Sequence, residues 1–236
     1  MKILAIDSTA KMASVALAEH EIILGEFYIH TSLTHSQTLV PMVADLLKNA
    51  GVSIGEIELF AASVGPGSFT GVRIGVSALK GMALPKSTPC AAVSTLEAMA
   101  QNLRSFDCEI CCVMDARCNQ VYQAFFSSRD GQIIRKSDDR AIFIEDLRKE
   151  IEKYPACVHL VGDGADLCYN KFGLENVKNT AEPVKYQRAS GVARVAFRKY
   201  QAGEIVPAAR LNPVYLRMPQ AERELKKRVA GCKEDG

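Results

Sequence analysis

The densest concentration of chemically suggestive residues is Gly65-Pro66-Gly67-Ser68-Phe69-Thr70-Gly71-Val72-Arg73-Ile74-Gly75. Glycine lets backbone N–H groups approach a ligand closely because no Cβ intervenes. Ser68 is placed to cap the helix that the next residues predict. Free N–H groups at such a helix start can hold an anion. Gly71 and Gly75 lie one helical turn apart, and Ala78 continues roughly the same face. Glycine inside a helix costs about 1 kcal/mol per residue, so its repetition calls for a close neighbour. That neighbour is either a partner's helix or the chain's own sheet. Other reactive groups are sparse. His20, His30, His35 and His159 are scattered, and none forms a nucleophile elbow with Ser or Cys. Cys108-x-x-Cys111 has half of a zinc-site spacing with no second half. Cys111 and Cys112 sit in the apolar run Ile110–Met114, where a reduced cysteine behaves as a small hydrophobe.

The elements that position these residues recur. Lys2–Ile6, Ala13–Ala18 and Ile22–Phe27 read as strands. Thr34–Ala50 reads as a helix with Leu39, Val43, Leu46 and Leu47 at helical spacing. A strand at Leu59–Val64 leads through the glycine loop to a helix at Phe69–Leu84. The order then repeats: strands at Ile110–Met114, Val121–Phe126 and Gln132–Ile134, a helix at Ile142–Ile151, a strand at Val158–Val161, then Gly162-Asp163-Gly164 and more helix. Each half opens with an apolar strand ending in Asp, at Asp7 and Asp115, and each has Gly-x-Gly after a later strand. Two copies of this unit predict an α/β fold of the actin-like, sugar-kinase-like and Hsp70-like (ribonuclease-H-like) kind. The expected division is 1–103, 104–217 and a charged tail over 218–236, with Ser190–Gln201 as a closing helix.

In this architecture a hairpin of the form Asp-x-Gly-x-Ser/Thr grips nucleotide phosphate and metal. Here Asp7-Ser8-Thr9-Ala10-Lys11 and Asp115-Ala116-Arg117-Cys118 keep the Asp and lack the glycine. Asp7, Ser8 and Thr9 are weak candidate nucleotide ligands, because two hydroxyls join the carboxylate. At Asp115 a capped turn is the simpler reading.

Composition narrows the partners. Lys and Arg total 29 and Asp and Glu 27, a net charge of +2. That balance argues against a self-sufficient nucleic-acid binder. Lys226-Lys227-Arg228 is diluted by Glu222, Glu224, Glu234 and Asp235, so the tail reads as a solvated one. The opening Met1–Asp7 reaches a carboxylate too early for an export signal. No apolar run approaches the ~20 residues of a membrane span. A cytoplasmic, soluble protein with reduced thiols and no membrane partner is expected.

Three segments together resemble the TsaB family, the dimerisation subunit of the bacterial tRNA threonylcarbamoyladenosine machinery. They are Gly65–Gly75; Met114-Asp115-Ala116-Arg117 with Val121-Tyr122; and Asn212-Pro213-Val214-Tyr215-Leu216-Arg217. With the opening Ile3–Thr9 they run from the start of the chain to Arg217. The resemblance implies pairing with the catalytic paralogue TsaD, work beside the ATPase TsaE, and contact with tRNA only through the complex. The catalytic paralogue carries two metal-binding histidines at i and i+4 on a helix after its glycine-rich segment. Thr95 and Met99 occupy those places here, and neither suits an imidazole-type metal site. The expectation is therefore a non-catalytic scaffold without a cofactor, acting on adenosine 37 of tRNA only by supporting its partner. Alone, it is expected to pair with itself. The partner interface is expected at Leu39, Val43 and Leu46 of the first helix and Gly71, Val72, Gly75, Val76 and Leu79 of the second. The competing reading is an active enzyme on the same fold, a glycoprotease-type metallopeptidase or an ATP-dependent phosphotransferase.

Overall fold

Alternation of apolar side chains builds two sheets, each covered on both faces, over residues 1–217, which the computed structural model describes. In the first, Lys2–Asp7 (β1), Met12–Glu19 (β2) and Ile22–His30 (β3) form an antiparallel meander. His35–Ala50 (α1) leads to Leu59–Gly65 (β4), and Phe69–Ala83 (α2) to Cys90–Ser94 (β5). Both later strands run parallel to β1, giving the order β3-β2-β1-β4-β5. Side chains of successive strand residues point to opposite faces. Leu4, Ile6, Val15 and Leu17 meet α1 and α2, whereas Ile3, Ala5, Ala16, Ala18 and Ala61 face the other way. The second set is mostly alanine, which leaves room for a helix to lie close.

Thr95–Ala100 (α3) links the sheets. The second unit comprises Cys108–Asp115 (β6), Gln120–Arg129 (β7), Gln132–Arg135 (β8), Arg140–Phe143 (β9), Ile144–Glu152 (α4), Val158–Val161 (β10), Ala165–Phe172 (α5) and Val177–Asn179 (β11). Its order, β8-β7-β6-β10-β11, repeats that of the first sheet, meander and parallel pair alike. β9 pairs with β7 and has no counterpart. This is the duplicated actin-like, sugar-kinase-like α/β fold. Glu182–Lys185 (α6) then precedes Ala189–Gln201 (α7), which returns to the alanine face of the first sheet.

The expected strands and long helices are present, with shifted ends. α4 starts at Ile144 rather than Ile142, because Arg140–Phe143 pairs with β7 first. β5, β9 and β11 are strands that the sequence pattern did not reveal. The charged tail expected over 218–236, with Lys226-Lys227-Arg228, lies outside the described residues.

The two units are tied at α3. Glu97 receives Arg135 from β8 at 3.3 Å and Arg198 from α7 at 3.4 Å. Arg135 also pairs with Asp139 at 2.6 Å, and Ser94 donates to Asp139 at 2.5 Å. A shared network of this kind costs less side-chain entropy per pair than isolated bridges, because each charge is already held by another.

Candidate functional site

A cleft of about 420 Å³ opens between the units. The first unit contributes Thr9–Lys11 and Pro66–Thr70, the second Met114–Arg117, Tyr122 and Asp163, and the chain's last described segment Val214–Arg217. Lys11, Arg117 and Arg217 oppose Asp115 and Asp163, so the cleft carries both signs of charge with a small positive excess.

The phosphate cradle expected in this cleft is consumed by the chain itself. Asp7, Ser8 and Thr9 are 1%, 2% and 0% exposed. The Asp7 carboxylate accepts from the Thr9 backbone N–H at 2.9 Å, from the Thr9 hydroxyl at 2.8 Å, and from the Ser63 hydroxyl. Burial pushes the Asp7 carboxyl above its usual range, against those donors. The Ser8 hydroxyl donates to the Gly71 carbonyl at 2.8 Å. The three candidate nucleotide ligands are thus engaged by the chain's own atoms, and of the three only Thr9 borders the cleft. Part of the helix start is engaged too. Ser68 caps α2 by accepting from Gly71 N–H, as its position predicts. Its own N–H donates to the Thr9 carbonyl at 2.6 Å. A side chain at Gly67, where φ is 159°, would collide with that same carbonyl. The glycines thus serve a close approach of the protein to itself.

The same correction applies to the expected partner interface. Leu39, Val43 and Leu46 are 1%, 3% and 3% exposed, and Val72, Val76 and Leu79 are 1%, 3% and 0%. All six belong to the core between the helices and the first sheet. Gly71 and Gly75 are buried as well; a Cβ there would strike Ser8, at its carbonyl and its hydroxyl respectively. The glycine face of α2 meets the end of β1, because β1 continues into the turn that α2 must cross. The opposite faces of α1 and α2 are the free ones. Val40 is 53% exposed, and Pro41 and Ala44 lie beside it on α1; on α2 Gly81 is exposed, while Ile74, Ala78 and Met82 are half-buried at the edge of the core. Leu33 and Leu84, 55% and 67% exposed, flank the pair. A Cβ on Gly81 would meet nothing within 4 Å.

Thr95 and Met99, in the places of the paralogue's histidines, are both fully buried. Met99 packs in the core beneath β6 and β7, in a cluster that also holds Ala10 and Met114 of the cleft wall. Among the described residues no group of three or more His, Cys, Asp or Glu is placed to hold a metal. The described cysteines are free; burial pushes Cys111 and Cys112 well above the usual thiol range.

Two cleft features escaped the sequence reading. Asp163 stands between Gly162 and Gly164, where the first unit has Pro66 between Gly65 and Gly67. Burial, with Asp115 alongside, pushes its carboxyl up to about 6. The other is the final segment. Val214 N–H donates to the Val64 carbonyl at 2.8 Å, Tyr215 stacks on Phe69 at 4.4 Å, and Arg217 donates to the Ala116 and Arg117 carbonyls. The Asn212–Arg217 motif marked the segment, but nothing in it told where the segment lies.

A duplicated actin-like unit with a polar cleft between its halves defines the class. The fold alone is shared with the ethanolamine utilization protein EutJ of Carboxydothermus hydrogenoformans, at 12% identity and a TM-score of 0.51. Residues 29–144 match the family model of TsaD, the tRNA N6-adenosine threonylcarbamoyltransferase. Two tRNA threonylcarbamoyladenosine biosynthesis proteins TsaB match almost end to end. That of Escherichia coli (strain K12) is 31% identical over 95% of this chain and 98% of its own, and that of Bacillus subtilis (strain 168) 30% over 94% and 96%. The solved structure of YeaZ from Pseudomonas aeruginosa superposes with a TM-score of 0.76 at 28% identity, over 91% of this chain and 99% of its own. The chain belongs to the TsaB family. Among the described residues, no helix is long and apolar enough to cross a membrane.

Proposed function

We propose that the chain is a non-catalytic subunit in tRNA threonylcarbamoyladenosine biosynthesis that pairs with a TsaD-type catalytic homologue through the outward faces of α1 and α2. The observation that carries this reading is the exposed small and apolar surface of those helices, Val40, Pro41, Ala44 and Gly81, bordered by the half-buried Ile74, Ala78 and Met82. Gly81 is central to it. Glycine within a helix costs up to about 1 kcal/mol, and this one, in the last turn of α2, has no neighbour in the chain that requires it. A partner helix approaching closely supplies the missing reason. The likeness of residues 29–144 to TsaD supports the same surface, because this stretch contains both helices. Two proteins built from one ancestral unit can pair by a pseudo-twofold arrangement in which like helices meet.

A scaffold rather than an enzyme is supported by Thr95 and Met99, which offer no imidazole, and by the filled cradle around Asp7 and Ser68. A TsaE-type ATPase is proposed as a third member, tRNA as a ligand of the assembly rather than of this chain, and the cytoplasm as its place of work. The isolated chain is proposed to self-pair through the same apolar face.

Mixing the full chain with its catalytic homologue and following mass by light scattering tests the reading. A stable one-to-one pair that forms at the expense of a homodimer supports it. Absence of any complex at 50-fold excess over ~1 µM, a Kd corresponding to about −8 kcal/mol, overturns it. Metal-dependent turnover of peptide or nucleotide by the isolated chain would favour the enzyme reading instead.

A further inference from the structure

We propose that Leu211–Arg217 is a built-in strap that bridges the cleft and holds the two units at a fixed separation, with the chain's own atoms in the place of a bridging ligand. The strap is independent of the partner reading above. On the first unit its grip has three parts. Leu211 is fully buried against the core of α2. Val214 N–H bonds to the last turn of β4 through the Val64 carbonyl at 2.8 Å. Tyr215 stacks on Phe69, and its hydroxyl accepts from Arg73 Nε at 2.8 Å, while the Arg73 guanidinium lies over Phe69 at 3.8 Å. The Gly65 position is adapted to this passage. Its φ is 123°, and a Cβ there would collide with the Val214 carbonyl.

On the second unit the grip is Arg217. Its guanidinium donates to two successive carbonyls, of Ala116 and Arg117. These belong to the turn between β6 and β7, in which Arg117, Cys118 and Asn119 all have positive φ, at 59°, 53° and 61°. Three consecutive non-glycine residues in this region are costly and persist only where surroundings hold them. The second unit supplies part of that hold: Arg117 N–H to the Asp115 carboxylate at 2.7 Å, Ala116 N–H to the Gln120 carbonyl at 3.0 Å, Ile144 N–H to the Asn119 carbonyl at 3.0 Å, and Lys171 to the Asn119 side chain; Arg217 adds the strap's share. One segment thus touches the loop after β4 and the turn after β6, the two cleft walls that a ligand between the units would have to join.

Hydrogen exchange of the full chain, followed by mass spectrometry on parent, Arg217→Ala, Arg217→Lys and Tyr215→Phe proteins, tests the strap. With Arg217→Ala, exchange over 115–121 and also over 64–70 is expected to accelerate at least tenfold, while β2, which the strap does not touch, stays unchanged. Tyr215→Phe removes only the hydroxyl that Arg73 reaches, and a severalfold acceleration on both walls is expected from a protein that folds normally. Arg217→Lys retains a donor and is expected to restore part of the protection. Acceleration confined to 115–121, or to the strap itself, overturns the proposal, since each contact would then be local. So does an unchanged pattern in both Arg217→Ala and Tyr215→Phe. Parent protein whose 64–70 and 115–121 peptides slow markedly in 5 mM ATP would also overturn it, for the cleft would then take a bridging ligand after all.

Discussion

Replacing Asp163 with Asn tests the electrostatics of the cleft. The Asp163 carboxyl is pushed up to about 6 from an ordinary 3.8, chiefly by burial and further by Asp115, with the Asp115 N–H bond and Lys11 opposing. The folded state therefore binds this proton more tightly than the unfolded chain does. Between about pH 4 and pH 6 the folded protein holds more protons, so stability falls as pH rises through that window. A gap of about 2 pH units at roughly 1.4 kcal/mol each sets an upper figure of about 3 kcal/mol. Partial exposure of Asp163 and the loss of Lys11's attraction reduce this to about 1–2 kcal/mol. Asn keeps an oxygen for the Asp115 N–H, 3.3 Å away, and carries no charge. Asp163→Asn is expected to melt above the parent at pH 8, by roughly 2–8 °C at about 2–4 °C per kcal/mol for a chain of this size. The difference is expected to vanish near pH 4, where the parent's carboxyl is protonated in the folded state. Calorimetric melts at pH 4, 6 and 8 decide it. A variant less stable than the parent at pH 8, or a difference independent of pH, would refute the assignment of burial as the dominant cause.

Gly75→Ala places a methyl against the Ser8 hydroxyl, and overpacking of this kind costs about 1–3 kcal/mol; urea melts should show it, while association with the catalytic homologue is retained by the folded fraction. Val40→Arg, on the outward face of α1, should leave the melt unchanged and weaken that association at least tenfold by light scattering, about 1.4 kcal/mol. ATP titrated into the isolated chain by calorimetry should bind weakly or not at all; sub-micromolar affinity lost in Asp7→Ala would contradict the filled cradle.

Periodicity carried most of the fold. Leu39, Val43 and Leu46 placed α1 correctly, and Asp7 and Asp115 at matching strand ends pointed to the duplication before any pairing was known. Segments below that signal were missed for physical reasons. β5 is Cys-Ala-Ala-Val-Ser, too rich in alanine to favour a strand by itself. β11 has only three residues and exists because β10 offers it an edge.

The glycines were legible as close approaches but not in direction, and the distinction decides the function assigned to them. A glycine records only that something lies where its Cβ would be. At Gly71 and Gly75 that object is Ser8, at Gly67 it is Thr9, and at Gly65 it is Val214, none of them near in sequence. Helical spacing placed Gly71, Gly75 and Ala78 in one stripe and invited a single explanation, yet the stripe is divided. Gly71 and Gly75 face β1, Ala78 is half-buried at the edge of the core, and Gly81 is the helix glycine with open space before it. In the fold, the first two seat α2 on the end of β1, beside Ser8, and the last leaves a place where a neighbour would fit. The glycines of one helix therefore do two different things: two close the chain on itself, and one leaves surface for the proposed partner.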